Sequence, residues 1–275
     1  MLFALLFGLL VLAHTPAYFA SADQPVERRA AVILWCFSSL AEAVSICACL
    51  LAAGSIIVDF WKELRARSRT VLLIVLSAAF AIGVWRIWAS PIGGRVIQEL
   101  MRPVLCLHAS IPVIVRTLTA LEFVSIASLC LAVVLLGWNI AEKSTSEIAP
   151  RIHRMRLLLY SSSAFLGLAV FKLNRWLDCG VIFSKPESGA RLVIAYSLGA
   201  GLAFASLLFL VFGPLAVQAS ARLHDLAAAA SQQESDFKLE VWRVRNVLPE
   251  APLQDLASIG AALFPIIIAV ITGKL

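Results

Sequence analysis

Apolar residues run through this chain in long unbroken stretches, separated by short polar clusters. The stretches are Leu2–Ala13, Ala31–Asp59, Thr70–Ala89, Leu118–Asn139, Leu157–Arg175, Leu192–Val217 and Leu256–Thr272. Most approach the ~18–25 residues that carry a helix across a bilayer. Barrel strands would be shorter and would alternate apolar with polar. In lipid each backbone polar group needs a partner within its own segment, which a helix supplies. The pattern therefore predicts an all-α fold, a polytopic transmembrane helix bundle of about seven spans. The first stretch also reads as a secretory signal, because Ala20-Ser21-Ala22 resembles a cleavage site. No Lys or Arg precedes it, however, so an uncleaved helix is expected and six spans is the alternative.

The sizeable polar stretch is Gln218–Asp255. Leu223, Leu226, Ala227 and Ala230 recur at helical spacing, so the sixth span should continue out of the membrane as an amphipathic helix. Phe237, Leu239 and Val241 alternate instead, and Pro249 and Pro252 then break the chain. The stretch is expected to be a solvated connector, or else a surface that lies on headgroups or docks a protein partner.

Composition strengthens the membrane reading. Of 275 residues, 61% are hydrophobic and 15% charged, and the mean hydropathy is +0.90. A soluble domain would hold about 25% charged residues. The net charge of +6 comes from Lys and Arg flanking apolar runs, where they meet headgroups, so the lipid bilayer is the expected partner and nucleic acid is not. Assigning the polar segments to alternate sides puts twelve Lys/Arg on one side and ten on the other. The compact cluster Lys62, Arg65, Arg67 and Arg69 tips the orientation toward a cytosolic N-terminus, if the first span stays uncleaved. The expected location is a cell membrane, the bacterial inner membrane.

The chain forms a single membrane domain, 1–275, in which a helical hairpin looks duplicated. Ser39-x-x-Glu42-x-Val44-Ser45-Ile46 aligns with Thr119-x-x-Glu122-x-Val124-Ser125-Ile126 at an offset of 80 residues. Ala81–Ile87, which holds Arg86, pairs with Gly167–Leu173, which holds Lys172, at an offset of 86. The matched charges carry this argument, because charges inside spans are rare. Hairpin repeat 1 is 31–89 and repeat 2 is 118–175. They run parallel, about an axis along the membrane normal. The remainder, 192–275, holds the final two spans and the polar cytosolic connector 218–255.

Those charges need partners, since a charge at the bilayer centre costs roughly 2.5–3.5 kcal/mol on insertion scales. Helical rise places Glu42 level with Arg86 and Glu122 level with Lys172, near the outer edge of the hydrocarbon. Two intramembrane pairs, Glu42–Arg86 and Glu122–Lys172, are expected. Ser39, Ser45, Thr119 and Ser125 lie about a turn away and form a polar stripe. Pinning each hairpin's register is the expected role, and a proton or solute path is the alternative.

Other residue types carry less chemistry. Cys36, Cys47, Cys49 and Cys130 read as small apolar residues in helix packing, while Cys106 and Cys179 fall in outer segments where a disulfide stays open. His14, His108, His153 and His224 are too scattered for haem or zinc, so no metal and no cofactor are expected. No nucleophile elbow, P-loop or HExxH occurs, and Glu42, His108 and Asp178 are not grouped by spacing. An enzyme is not expected. Trp35, Trp85, Trp88 and Trp176 suit an outer aromatic belt. The small-residue ladder Ser197, Gly201 and Ala205 suits close helix approach within the monomer, with a homo-oligomer left open. The expected function is a structural or accessory membrane component, and the alternative is a small-solute or proton-coupled transporter using Glu42 and Glu122.

Overall fold

The computed structural model describes residues 26–61, 69–70, 74, 77–78, 81, 111–184, 189–233, 238–246 and 256–272. Six α-helices organise them: α1 (Val26–Trp61), α2 (Ile111–Gly137), α3 (Thr145–Ser184), α4 (Gly189–Gln233), α5 (Leu239–Arg245) and α6 (Leu256–Thr272). Among the described residues there is no strand. Four helices are long and apolar enough to cross a membrane: Ala30–Trp61, Val115–Glu142, Thr145–Ile182 and Arg191–Gln232, while Ile259–Thr272 is a shorter apolar helix. Against the seven expected spans, Leu2–Ala13 and most of Thr70–Ala89 lie outside the described residues, and so does Arg86.

α3 is the centre of the bundle and packs against α1, α4 and α6. α1 also lies along α2, and α6 fills the seam between α3 and α4. The directions follow from paired positions. Glu42 of α1 meets Lys172 of α3 while Asp59 meets Arg154, so α1 and α3 are antiparallel. Gly137 of α2 lies against Leu215 of α4, and the α2 residues Leu118 and Thr119 share a cleft with Phe204. α2 and α4 therefore run alongside α1, opposite to α3. Helices this apolar gain little from one another by hydrophobic burial in lipid, so close packing and interhelical polar contacts have to hold them.

Local sequence explains the joints. Asn139 adopts a left-handed conformation (φ 51°) just after α2, which closes the helix end. Ser144-Thr145-Ser146-Glu147 then starts α3 with the glutamate half of a capping box. The Ser144 amide donates to the Glu147 carboxylate at 3.0 Å and the Ser144 hydroxyl donates at 2.8 Å. In α6, Pro265 has no N–H and leaves the carbonyl of Ala261 without its helical donor. The Ser163 hydroxyl of α3 donates to that carbonyl instead.

The ladder of small residues is spent inside the monomer. Ser197, Gly201 and Ala205 are buried, and a Cβ on Gly201 would lie 2.8 Å from both the Pro265 carbonyl and the Ala269 Cβ. α4 continues as one helix to Gln233, past Arg222, whose Nε donates to the Lys143 carbonyl at 2.9 Å. Where alternation of Phe237, Leu239 and Val241 suggested extended chain, Leu239 to Arg245 is helical. Trp242 turns into the core while Val241 and Val244 are exposed. The alternation was the short-window ambiguity of an amphipathic helix, settled by where Trp242 packs.

Candidate functional site

Each of three helices contributes one charge from an otherwise apolar stretch. Glu42 is the only charged residue of α1 between Ala30 and Val58, and Lys172 follows a charge-free run of α3 that begins after Arg156. Glu122 comes one and a half turns after Arg116 on α2. The fold brings all three together. Lys172 Nζ lies 2.8 Å from Glu42 Oε2 and donates to Oε1 at 3.1 Å, and it also donates to Glu122 Oε1. Glu42 is fully buried, whereas the side chains of Lys172 and Glu122 retain 14% and 19% exposure. One ammonium thus stands between two carboxylates. As ionised groups the trio carries one excess negative charge.

Of the two pairs expected from spacing, one involves residues that are all described. Glu122 does meet Lys172, but Glu42 reaches across to the same lysine, and Arg86 lies outside the described residues. α1 packs along α3, which brings Glu42 within reach of Lys172.

The depth of the trio follows from a second contact at the other end of the same helix pair. Arg154 Nη2 lies 2.8 Å from Asp59 Oδ2. Asp59 is seventeen residues from Glu42, or ~26 Å of helix. That is close to the ~30 Å hydrocarbon thickness, so a bilayer crossed by this helix pair would have one clasp near each face. Arg151 reinforces the end of the bundle that holds Asp59 and Arg154. Its Nη1 donates to the carbonyls of Leu136 and Trp138, both at 3.0 Å, and its guanidinium stacks 4.4 Å from the Phe60 ring centroid. The Leu136 carbonyl lies in the last turn of α2 and the Trp138 carbonyl just beyond it, where helical donors run out.

The hydroxyl stripe does not form a chain of hydrogen bonds. Ser45 donates to the Glu42 carbonyl at 2.8 Å and Thr119 to the Val115 carbonyl at 2.9 Å, both within their own helices. The Ser39 and Ser125 hydroxyls are buried without a hydrogen-bond partner.

A half-open cleft of about 140 Å³ lies over the trio. Its walls include Trp35, Leu118, Leu173, Trp176 and Phe204, and Glu122, Lys172 and Thr119 supply its polar atoms. Glu42 is not part of the lining and lies behind Lys172. Trp35 and Trp176, expected in a lipid-facing belt, instead pack on each other with centroids 5.0 Å apart at 41° and are almost wholly buried. Trp85 and Trp88 lie outside the described residues, as does Cys106. Cys179 is buried, because α3 continues to Ser184 rather than ending at the outer segment. Among the described residues no three His, Cys, Asp or Glu side chains gather as metal ligands.

Sequence reasoning missed the Asp59–Arg154 contact, the Arg151 cap and the cleft. A signal for the first was present. Asp59 lies seventeen residues after Glu42 and Arg154 eighteen before Lys172, the matched separation of an antiparallel pair. No protein-family model, curated protein or solved structure matches the chain.

Proposed function

We propose that this chain is a multi-pass structural or accessory component of a cell membrane, the bacterial inner membrane, with no catalytic role. The observation that supports this best is the burial of Glu42 behind Lys172. The cleft stops at Glu122 and Lys172, so the described charges are arranged as a clasp across three helices rather than as stations along a path. With Asp59–Arg154 at the other face, the clasp holds α1 on α3 at two levels.

Lys143, Arg151, Arg154, Arg156 and Arg222 all lie toward the end of the bundle where α1, α2 and α4 finish. By the positive-inside rule that end faces the cytosol, and an uncleaved first span would return the N-terminus to the same side. The matching direction and height of Glu42 and Glu122 support a parallel duplication of 31–89 in 118–175. α4 runs eleven residues past Arg222, ~16 Å of helix, and with α5 offers a partner the exposed side chains of Val241 and Val244.

A second reading, transport of protons or small solutes, draws on the excess carboxylate of the trio. Flux in proteoliposomes separates the two. The accessory reading expects wild-type protein to pass no more protons or ions than protein-free vesicles under several gradients. Flux that vanishes in a folded Glu42→Gln/Glu122→Gln variant would replace it with transport.

A further inference from the structure

The cleft combines features that the clasp does not require. Its walls are aromatic and aliphatic, its floor is a carboxylate shared with one lysine, and it opens near one face of the apolar slab. We propose that this cleft binds amphiphilic organic cations, with an ammonium group set against Glu122 and an apolar body between Trp35, Trp176 and Phe204.

Charge decides the sign of the ligand. With both carboxylates ionised, two share one ammonium, so a bound monocation brings the group to neutrality, whereas an anion would add to the excess. The walls decide its character. Aromatic faces attract cations through the ring quadrupole, and a desolvated setting strengthens the effect. A hard inorganic cation such as Ca²⁺ needs about six to eight oxygen ligands, and the cleft offers Glu122 and the Thr119 hydroxyl. An organic ammonium needs one counter-charge and apolar surface for the rest. Position matters as well. A ligand with one charged and one apolar end partitions into the interfacial zone, which is where the ~26 Å separation from Asp59 puts the opening.

Binding requires no transport, so this inference stands whether or not the chain moves a solute, and flux and binding are measured separately. The full chain is placed in nanodiscs of zwitterionic lipid and titrated calorimetrically with benzyltrimethylammonium, with its uncharged isostere neopentylbenzene, and with the anion phenylmethanesulfonate. The expected result is saturable binding of the cation alone, above empty nanodiscs. Glu122→Gln should weaken it at least tenfold. Because Glu122→Gln also loosens the clasp, Val115→Trp serves as a second variant. Val115 also lines the cleft, so the larger side chain takes up its space, leaves all three charges in place, and should abolish binding with the helical content unchanged. Absence of saturable cation binding, equal binding of the neutral isostere, preference for the anion, or undiminished affinity in Val115→Trp would each overturn the proposal.

Discussion

Replacing Lys172 with Met should be among the most damaging single substitutions in the chain, and the geometry gives its size. Lys172 is the common partner of Glu42 and Glu122. Breaking a buried pair by removing one member costs about 3–5 kcal/mol, because the other charge stays buried and unpaired. Here two carboxylates remain. Each had contacted the same Nζ, so their oxygens lie within roughly 6 Å of each other. At that distance two like charges repel by about 3 kcal/mol at an effective dielectric of ~20. Proton uptake by one carboxylate would relieve most of the repulsion, so a loss near 4 kcal/mol is expected rather than the sum. The assay is reversible unfolding in mixed micelles, with helicity and tryptophan fluorescence followed together.

The companion variant makes the reasoning refutable. In Glu42→Gln/Glu122→Gln/Lys172→Met no charge is left, and a well-packed neutral replacement of a buried ionic group is often neutral in stability. The triple variant should therefore recover most of what Lys172→Met loses. A loss below about 1 kcal/mol in Lys172→Met would mean that water reaches the trio and the burial argument fails. A triple variant as unstable as the single one would mean that the lysine stem acts by packing rather than by charge.

Two further substitution pairs probe the rest of the bundle by the same unfolding assay. Gly201→Val should cost about 1–3 kcal/mol by forcing α4 away from α6, while Gly199→Ala, whose new Cβ meets nothing within 4 Å, should be neutral; equal effects would refute the close approach. At the Asp59 end of the bundle, Arg151→Gln should cost about 2–4 kcal/mol, because two carbonyls lose their donor and a ring face loses its cation. Asp59→Asn should cost under about 1 kcal/mol, since that pair is half exposed, and the reverse order would show that Asp59–Arg154 is the principal clasp.

Much of the architecture was legible without coordinates. Runs of apolar residues long enough to cross a bilayer fix helices, because lipid leaves the backbone no other partner. Rarity of charge within those runs singled out Glu42, Glu122 and Lys172, since each costs free energy unless it is matched. The continuation of α4 beyond Arg222 and the inward use of Ser197, Gly201 and Ala205 could be read from 3.6-residue spacing and side-chain size. These are properties of single segments.

Partnership between segments was not legible in the same way. Helical rise gives the height of Glu42 but not which helices stand beside it, so its contact with Lys172 of α3 was not foreseen. Trp35 and Trp176 have the composition of a lipid-facing belt, and only the antiparallel register of α1 and α3 turns them toward each other and into the wall of a cleft. Arg151 looked like one more basic boundary residue until the end of α2 was placed within its reach. Sequence determined which groups could not be left alone in lipid. The packing of three helices decided which groups they would meet, because contact depends on rotation and neighbour choice, and one-dimensional spacing carries neither.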